Sequence, residues 1–155
     1  MSRLGSLSRR AGLVAKITAQ ALSAPVAYAA CALVERDGKI LLARHSYVAG
    51  WLLPGGGARR GEPAQDAIMR ELKEEIGLTR AAPPQLFGLY SRKAGWATNV
   101  IALFLLREVE FTFRPNLEIR EVQFADPTAP PPRTPPSVRR RLAEFSGNQP
   151  LGPYW

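Results

Sequence analysis

The stretch Gly56–Leu78, GGARRGEPAQDAIMRELKEEIGL, carries the most specific pattern in the chain. Pro63 suits a first helical turn and Gly77 a C-terminal stop, so the spacing predicts a helix over Glu62–Ile76. At 100° per residue, Ile68, Leu72 and Ile76 fall within an arc of about 80°, the stripe such a helix buries. Glu71, Glu74 and Glu75 form a second cluster across about 100°, beside the stripe and not opposite it. As pure structure this is costly. Like charges at these spacings each destabilise by about a few tenths of a kcal/mol. Acids in the last turn also oppose the helix dipole by about 0.3–1 kcal/mol each. Arg70, four residues before Glu74, relieves only part of that. Carboxylates converging on one spot suit a hard divalent cation, which takes oxygen ligands and keeps positions for water and phosphate. The alternative is a solvated acidic face, disfavoured because the acids border the apolar stripe and follow a glycine-rich loop.

That loop, Trp51-Leu52-Leu53-Pro54-Gly55-Gly56-Gly57, would by itself mark only a turn. It has neither GxGxxG spacing nor Gly-Lys-Ser/Thr, so it is not a dinucleotide fingerprint or a P-loop. Glu62 precedes Pro63 and is expected to cap the helix or brace the loop, not to bind metal. Upstream, Val26–Glu35 reads as a strand, closed by the hairpin signal Asp37-Gly38 and partnered by Lys39–Arg44. Downstream, Gln85–Arg92 and the nearly continuous apolar run Asn99–Arg107 read as strands, the second covered on both faces. Alternation continues through Val109, Phe111 and Phe113, and a last strand is expected over Glu118–Phe124. Pro127–Pro136 reads as an extended connector, followed by a helix over Ser137–Phe145.

The 155 residues suit one domain. One cysteine and one histidine exclude disulfide frameworks, cysteine zinc clusters and multi-histidine metal sites. The net charge of +8 first suggests a polyanion partner, yet 26–126 holds 13 basic and 12 acidic residues. The excess belongs to the ends. Residues 1–25 form a basic, acid-free segment with Leu4, Leu7, Ala11, Val14, Thr18 and Ala21 at helical spacing. Three readings compete for it: a helix packed on its own domain, a membrane-surface or partner helix, and an organelle-targeting segment. The expected organisation is a basic amphipathic helix over 1–25, a central domain over 26–126, and a connector plus helix over 127–155 packed into that domain. The longest uncharged run is too short for a membrane span.

Gly56, five residues on Glu62, and seven further on Arg70-Glu71-Leu72-Lys73-Glu74-Glu75-Ile76-Gly77-Leu78 together resemble the full signature of the Nudix hydrolase family, without departure. Trp51…Pro54-Gly55-Gly56 resembles its usual lead-in. The resemblance implies an α/β fold: an α/β/α sandwich with a mixed sheet and a loop-helix-loop catalytic motif. It implies hydrolysis of a nucleoside diphosphate linked to another moiety, by attack of water on phosphorus. On that reading Glu71, Glu74 and Glu75 hold Mg²⁺, for which Mn²⁺ can substitute, and Arg70 orients them. Some members add a carboxylate from a later strand. Glu118 is the candidate and Glu121 the reserve, and strand alternation lets only one face the site. Glu62 and Gly77 have structural roles in the motif.

Arg44, His45, Gly55, Gly56 and Arg92 are the candidates for substrate contact, with Lys93 near them. A lone histidine is more often structural, and the basic residues are more often solvated. Trp51, Tyr90 and Trp96 could stack on a base, although Trp51 is better suited to packing. Cys31 reads as a small buried side chain. The alternatives to catalysis are a silent Nudix-fold nucleotide sensor, which should have lost box glutamates, and an RNA-end-processing or RNA-binding protein. The favoured partner is a small nucleotide diphosphate derivative, with nucleic acid less favoured. The expected setting is cytoplasmic, with targeting by 1–25 left open. Neither oligomeric state nor leaving group follows from the sequence, which lacks the downstream spacings of the ADP-ribose, dinucleoside-polyphosphate and coenzyme A subgroups.

Overall fold

The computed structural model describes residues 3–155, with side-chain surroundings from Ala11 onward. Leu4, Leu7, Arg3, Arg9 and Arg10 of the basic segment lie outside the described side chains. In chain order the elements are α1 (Arg3–Ser23), β1 (Val26–Arg36), β2 (Lys39–His45), β3 (Gly55–Gly57), α2 (Ala64–Ile76), β4 (Leu78–Arg80), β5 (Gln85–Ala94), β6 (Ala97–Leu106), β7 (Glu110–Phe111), β8 (Ile119–Ala125) and α3 (Pro136–Phe145).

The main sheet runs β5-β6-β1-β2-β8. β1 and β6 are parallel, with Val26 opposite Thr98 and Val34 opposite Leu106. The other neighbours are antiparallel, so the sheet is mixed. Alternation along β1 divides the core. Ala30, Ala32 and Val34 face α2 and pack with Ile68, Leu72 and Ile76. Leu33 faces the other way, with Leu103, Val138 and Leu142, the last two from α3. This is the expected three-layer sandwich.

One edge of β1 is shared. Only its last two residues pair with β2. Ala29, Ala30 and Cys31 instead pair with the glycines of β3. The gap is filled by the Trp51–Pro54 lead-in: the Ala32 N–H donates to the Pro54 carbonyl at 2.9 Å, and Ala43 exchanges two backbone hydrogen bonds with Leu52. This short glycine strand is absent from the sequence reading because glycines give no strand signal. β4 was also missed, and it pairs only with β7. The expected long alternating strand after Glu108 shrinks to β7.

Two further expectations are corrected. Pro127–Pro136 is not extended but folds through turns, with Ala129 N–H donating to Asp126 C=O and Thr134 N–H to Pro131 C=O. Over its described side chains α1 does not pack on its own domain: every residue from Ala11 to Ala24 is exposed, including Leu13, Val14, Ile17 and Leu22. Both faces of the sheet are already covered by α2 and α3. No described helix is long and apolar enough to cross a membrane.

Helix α2 starts at Ala64, after Pro63, without a side-chain cap, and ends at Gly77 in the left-handed region at φ +69°. A Cβ there would lie 2.4 Å from the Thr112 carbonyl oxygen. Gly77→Ala should therefore cost at least about 2 kcal/mol, from the left-handed penalty plus the clash. Urea unfolding would read this as a lowered midpoint at unchanged slope; an unmoved midpoint would contradict it.

Candidate active site

Helix α2 and strand β3 are clasped by two carboxylates. The Gly55 N–H donates to Glu75 Oε2 at 2.8 Å. Gly56 lies so close to Glu71 that a Cβ on it would meet the carboxyl carbon at 2.6 Å. The fixed spacing from Gly56 to Glu71 and Glu75 is thus a packing requirement as well as a chemical one.

Arg70 organises the acids. Its Nε and Nη2 each donate to Glu62, both at 2.9 Å, forming a bidentate fork. Nη1 donates to Glu71 at 2.6 Å and reaches Glu74 at 3.5 Å, and Nη2 also donates to the Gly57 carbonyl at 3.1 Å. Glu62 accepts in addition the Arg59 N–H at 2.7 Å. Of the two roles expected for Glu62, it takes the loop brace and not the helix cap.

Glu75 is 3% exposed. Burial pushes its pKa up to about 8 against the pull of the Gly55 N–H, with the charges of Glu71, Glu118 and Glu74 adding to the rise. Its nearest cationic candidate, His45 Nε2, is 4.0 Å away. Burial lowers the pKa of His45, against the field of Glu118, and so disfavours the imidazolium that an ion pair would need. The Nδ1 side of His45 meets the Tyr47 hydroxyl at 3.3 Å.

The four carboxylates, all oxygen donors around a buried and uncompensated Glu75, fit a hard divalent cation. They are not preassembled around one point among the described residues. Arg70 holds Glu71 and Glu74, while the Gly55 N–H holds Glu75. Glu74, half exposed and only loosely bound to Arg70 and to Arg59 at 3.3 Å, is the most easily recruited.

The substrate-contact candidates divide. His45, Gly55, Gly56 and Arg92 line one cleft of about 550 Å³ on the α3 side of β3. Arg44 does not: it pairs with Glu121 at 2.8 Å and lies over Trp51 at 5.8 Å, lining an adjoining pocket that shares His45, Tyr47 and Val48 with the cleft. That pairing occupies Glu121, whereas Glu118 lies close enough to act on Glu75. Asn116 fixes the turn before Glu118, accepting its N–H at 2.9 Å and donating to the Glu75 carbonyl at 3.1 Å. Sequence reasoning missed Asn116, whose only signal was a turn-forming asparagine after Pro115.

The aromatic candidates are corrected. Tyr90 is 1% exposed and cannot stack on a ligand, and Trp96, 83% exposed, is outside the cleft. Trp155, unnoticed in the sequence, lines it together with Asn99. Cys31 also reaches the cleft, but desolvation pushes its thiol up to about 12, so it is no nucleophile.

Hydrogen bonds from Arg70 and then from the Arg59 N–H hold the Glu62 carboxyl down at about 2, against an ordinary 4.5. The stability this pair contributes is in full force above about 4.5 and is lost as pH falls toward 2. Glu62→Gln should therefore flatten the dependence of unfolding free energy on pH in that window. Parallel acid limbs for variant and wild type would show that the pair contributes nothing.

An RNA pyrophosphohydrolase of Hydrogenovibrio crunogenus is 35% identical over 75 residues, 48% of this chain and 43% of that protein. An ADP-ribose pyrophosphatase of Methanocaldococcus jannaschii is 30% identical over 101 residues, 61% of this chain and 58% of that protein. The matches therefore span about half the length of these relatives. Among solved structures, a UDP-X diphosphatase gives a TM-score of 0.68 at 23% identity, over 90% of this chain and 74% of that one. A MutT NUDIX hydrolase from Burkholderia pseudomallei gives 0.67 at 22% identity, over 76% and 95% respectively. At these identities the likeness to both structures is one of fold. The NUDIX domain itself is matched across residues 24–145, most of the chain, and the protein belongs to the NUDIX family.

Proposed function

We propose that the protein is a Mg²⁺-dependent pyrophosphohydrolase that cleaves a nucleoside diphosphate linked to another moiety. The observation that carries this reading is the buried Glu75, surrounded by Glu71, Glu74 and Glu118 with no cation among the described residues to offset it. A silent sensor would have no use for so costly an arrangement, and this chain retains every glutamate of the signature.

Glu71, Glu74 and Glu75 would hold Mg²⁺, with Glu118 as the further carboxylate. The bound ion would offset the diphosphate charge and lower the pKa of a water. The remaining work falls to the chain. Arg70, anchored on Glu62, keeps Glu71 against Gly56 and leaves Glu74 free to turn. The Gly55 N–H fixes one oxygen of Glu75 and leaves the other facing His45. Arg92 faces the cleft and is available to a phosphate. Water adds to phosphorus and the P–O bond to the leaving phosphate breaks, giving two phosphate-bearing products. The relatives named RNA pyrophosphohydrolase and ADP-ribose pyrophosphatase place 5′-triphosphorylated RNA and ADP-ribose beside nucleoside triphosphates and nucleotide sugars on the panel to be tested.

Glu74→Gln and Glu75→Gln should each lower turnover by more than about 100-fold with the fold retained. Chelation should abolish turnover and added Mg²⁺ restore it. Hydrolysis of the panel with product analysis tests both. Near-wild-type Mg²⁺-dependent rates in either variant would overturn the site. Inactivity of the wild type on the whole panel would overturn the enzyme reading.

A further inference from the structure

Among the groups lining the cleft beside β3 that the diphosphate chemistry does not use are Asn99 and Trp155. Strand register explains the space around Asn99. On the α3 face, β5, β6 and β1 place Arg92, Asn99 and Ala27 side by side. The next row is Tyr90, Ile101 and Ala29. The alanines of β1 leave a hollow whose floor is Ile101 and whose polar group is the Asn99 amide. The Asn99 Oδ1 is buried and has no hydrogen-bond partner among the described residues. An orphaned buried amide oxygen is costly, and no protein group fixes which end of the amide faces a ligand.

Trp155 is held beside this hollow by a built network. The Ser91 N–H donates to the Pro153 carbonyl at 2.9 Å, and the Trp155 N–H donates to the Ser91 carbonyl at 3.1 Å, laying Pro153–Trp155 along the free edge of β5. Below it, Glu144 accepts from Arg141 at 2.6 Å, from the Tyr90 hydroxyl at 2.8 Å and from the Gly152 N–H at 2.9 Å. Arg141 stacks on Tyr90 at 3.9 Å and donates to the Tyr154 carbonyl at 2.8 Å. Arg141 and Glu144 are 1% and 6% exposed. An ion pair so deeply desolvated gains little stability for its cost; what it secures here is the position of the segment that carries Trp155. The indole stands edge-on to Tyr90 at 5.7 Å and lines the cleft. The opposite end of the cleft is the glycine strand, whose far side meets Glu71 and Glu75.

We propose that Trp155 and Asn99 form the subsite for the nucleobase, the indole stacking on its face and the amide bonding its edge. The assignment rests on the pyrophosphohydrolase reading only for the identity of the ligand as a nucleotide. A planar heterocycle with a hydrogen-bonding edge matches a mostly apolar hollow that carries the Asn99 amide and the Trp155 indole, with Tyr28 and Tyr47 also in its lining.

The test is calorimetric titration of the whole protein with AMP, GMP, CMP, UMP and inorganic pyrophosphate, in wild type, Trp155→Leu and Asn99→Ala, each checked by thermal melting. The preferred nucleotide should bind about tenfold more weakly to either variant, with pyrophosphate affinity unchanged. Asn99→Ala should also flatten the preference among bases. Trp155→Phe should recover most of the lost affinity, which separates stacking from a disturbed segment. Nucleotide affinities within about twofold of wild type in both variants would overturn the subsite, as would no preference of the wild type for nucleotides over pyrophosphate. If wild type hydrolyses nucleotides while the variants bind like it, only this inference falls. If nothing on the panel is hydrolysed but the variants lose nucleotide binding, only the enzymatic reading falls.

Discussion

The close approach of two glycines, Gly55 to β1 and Gly56 to α2, governs the rest of the structure. A Cβ on Gly55 would lie 2.2 Å from the Ala30 carbonyl oxygen, and the residue sits at φ +137°. The adjacent Gly56 leaves no room for a side chain against Glu71. Only glycine lets one short strand lie flat on β1 while its other side receives carboxylates from α2. Because β3 takes that edge of β1, β2 must splay away, and the Trp51–Pro54 lead-in fills the wedge. The split opens the sheet at the place where the glutamates and the cleft meet.

Electrostatics follows from this geometry. Glu75 is pressed into the interior by the helix stripe it borders, and the one backbone N–H it receives does not offset its desolvation. Glu71 and Glu62 are instead tied to Arg70, whose fork spans them and whose own charge they stabilise further. The chain's net charge of +8 is no guide to this site, which is acidic, and the arginine excess lies outside residues 26–126.

Much of this was legible in the sequence, and for a stated reason. Periodicity located α2 and α3, and the apolar runs located β1 and β6, because burial of a face imposes a period. Spacing brought Arg70, Glu71, Glu74 and Glu75 onto one patch because a helix is rigid. What could not be read depends on register between distant strands. Arg44 and His45 are neighbours in sequence, yet a bulge between them and pairing with β8 send Arg44 to Glu121 and His45 to Glu75. Asn99 and Trp155 meet only through β5, and Tyr90, an apparent stacking residue, is consumed by Glu144. The glycine strand was invisible because its pairing comes from what it lacks.

The parallel pairing of β1 with β6 has a kinetic consequence. Val26 and Thr98 are about seventy residues apart, and every backbone bond between β1 and β6 spans a similar separation. Such contacts repay their loop-closure entropy late. During synthesis the β1–β2 hairpin and α2 emerge before the strands and helix that cover them, and the sheet can close only after Leu106 leaves the ribosome. Local order in the first half of the chain must therefore wait for the second before it becomes cooperative, so that truncation anywhere before β6 should leave a collapsed chain without a folded core.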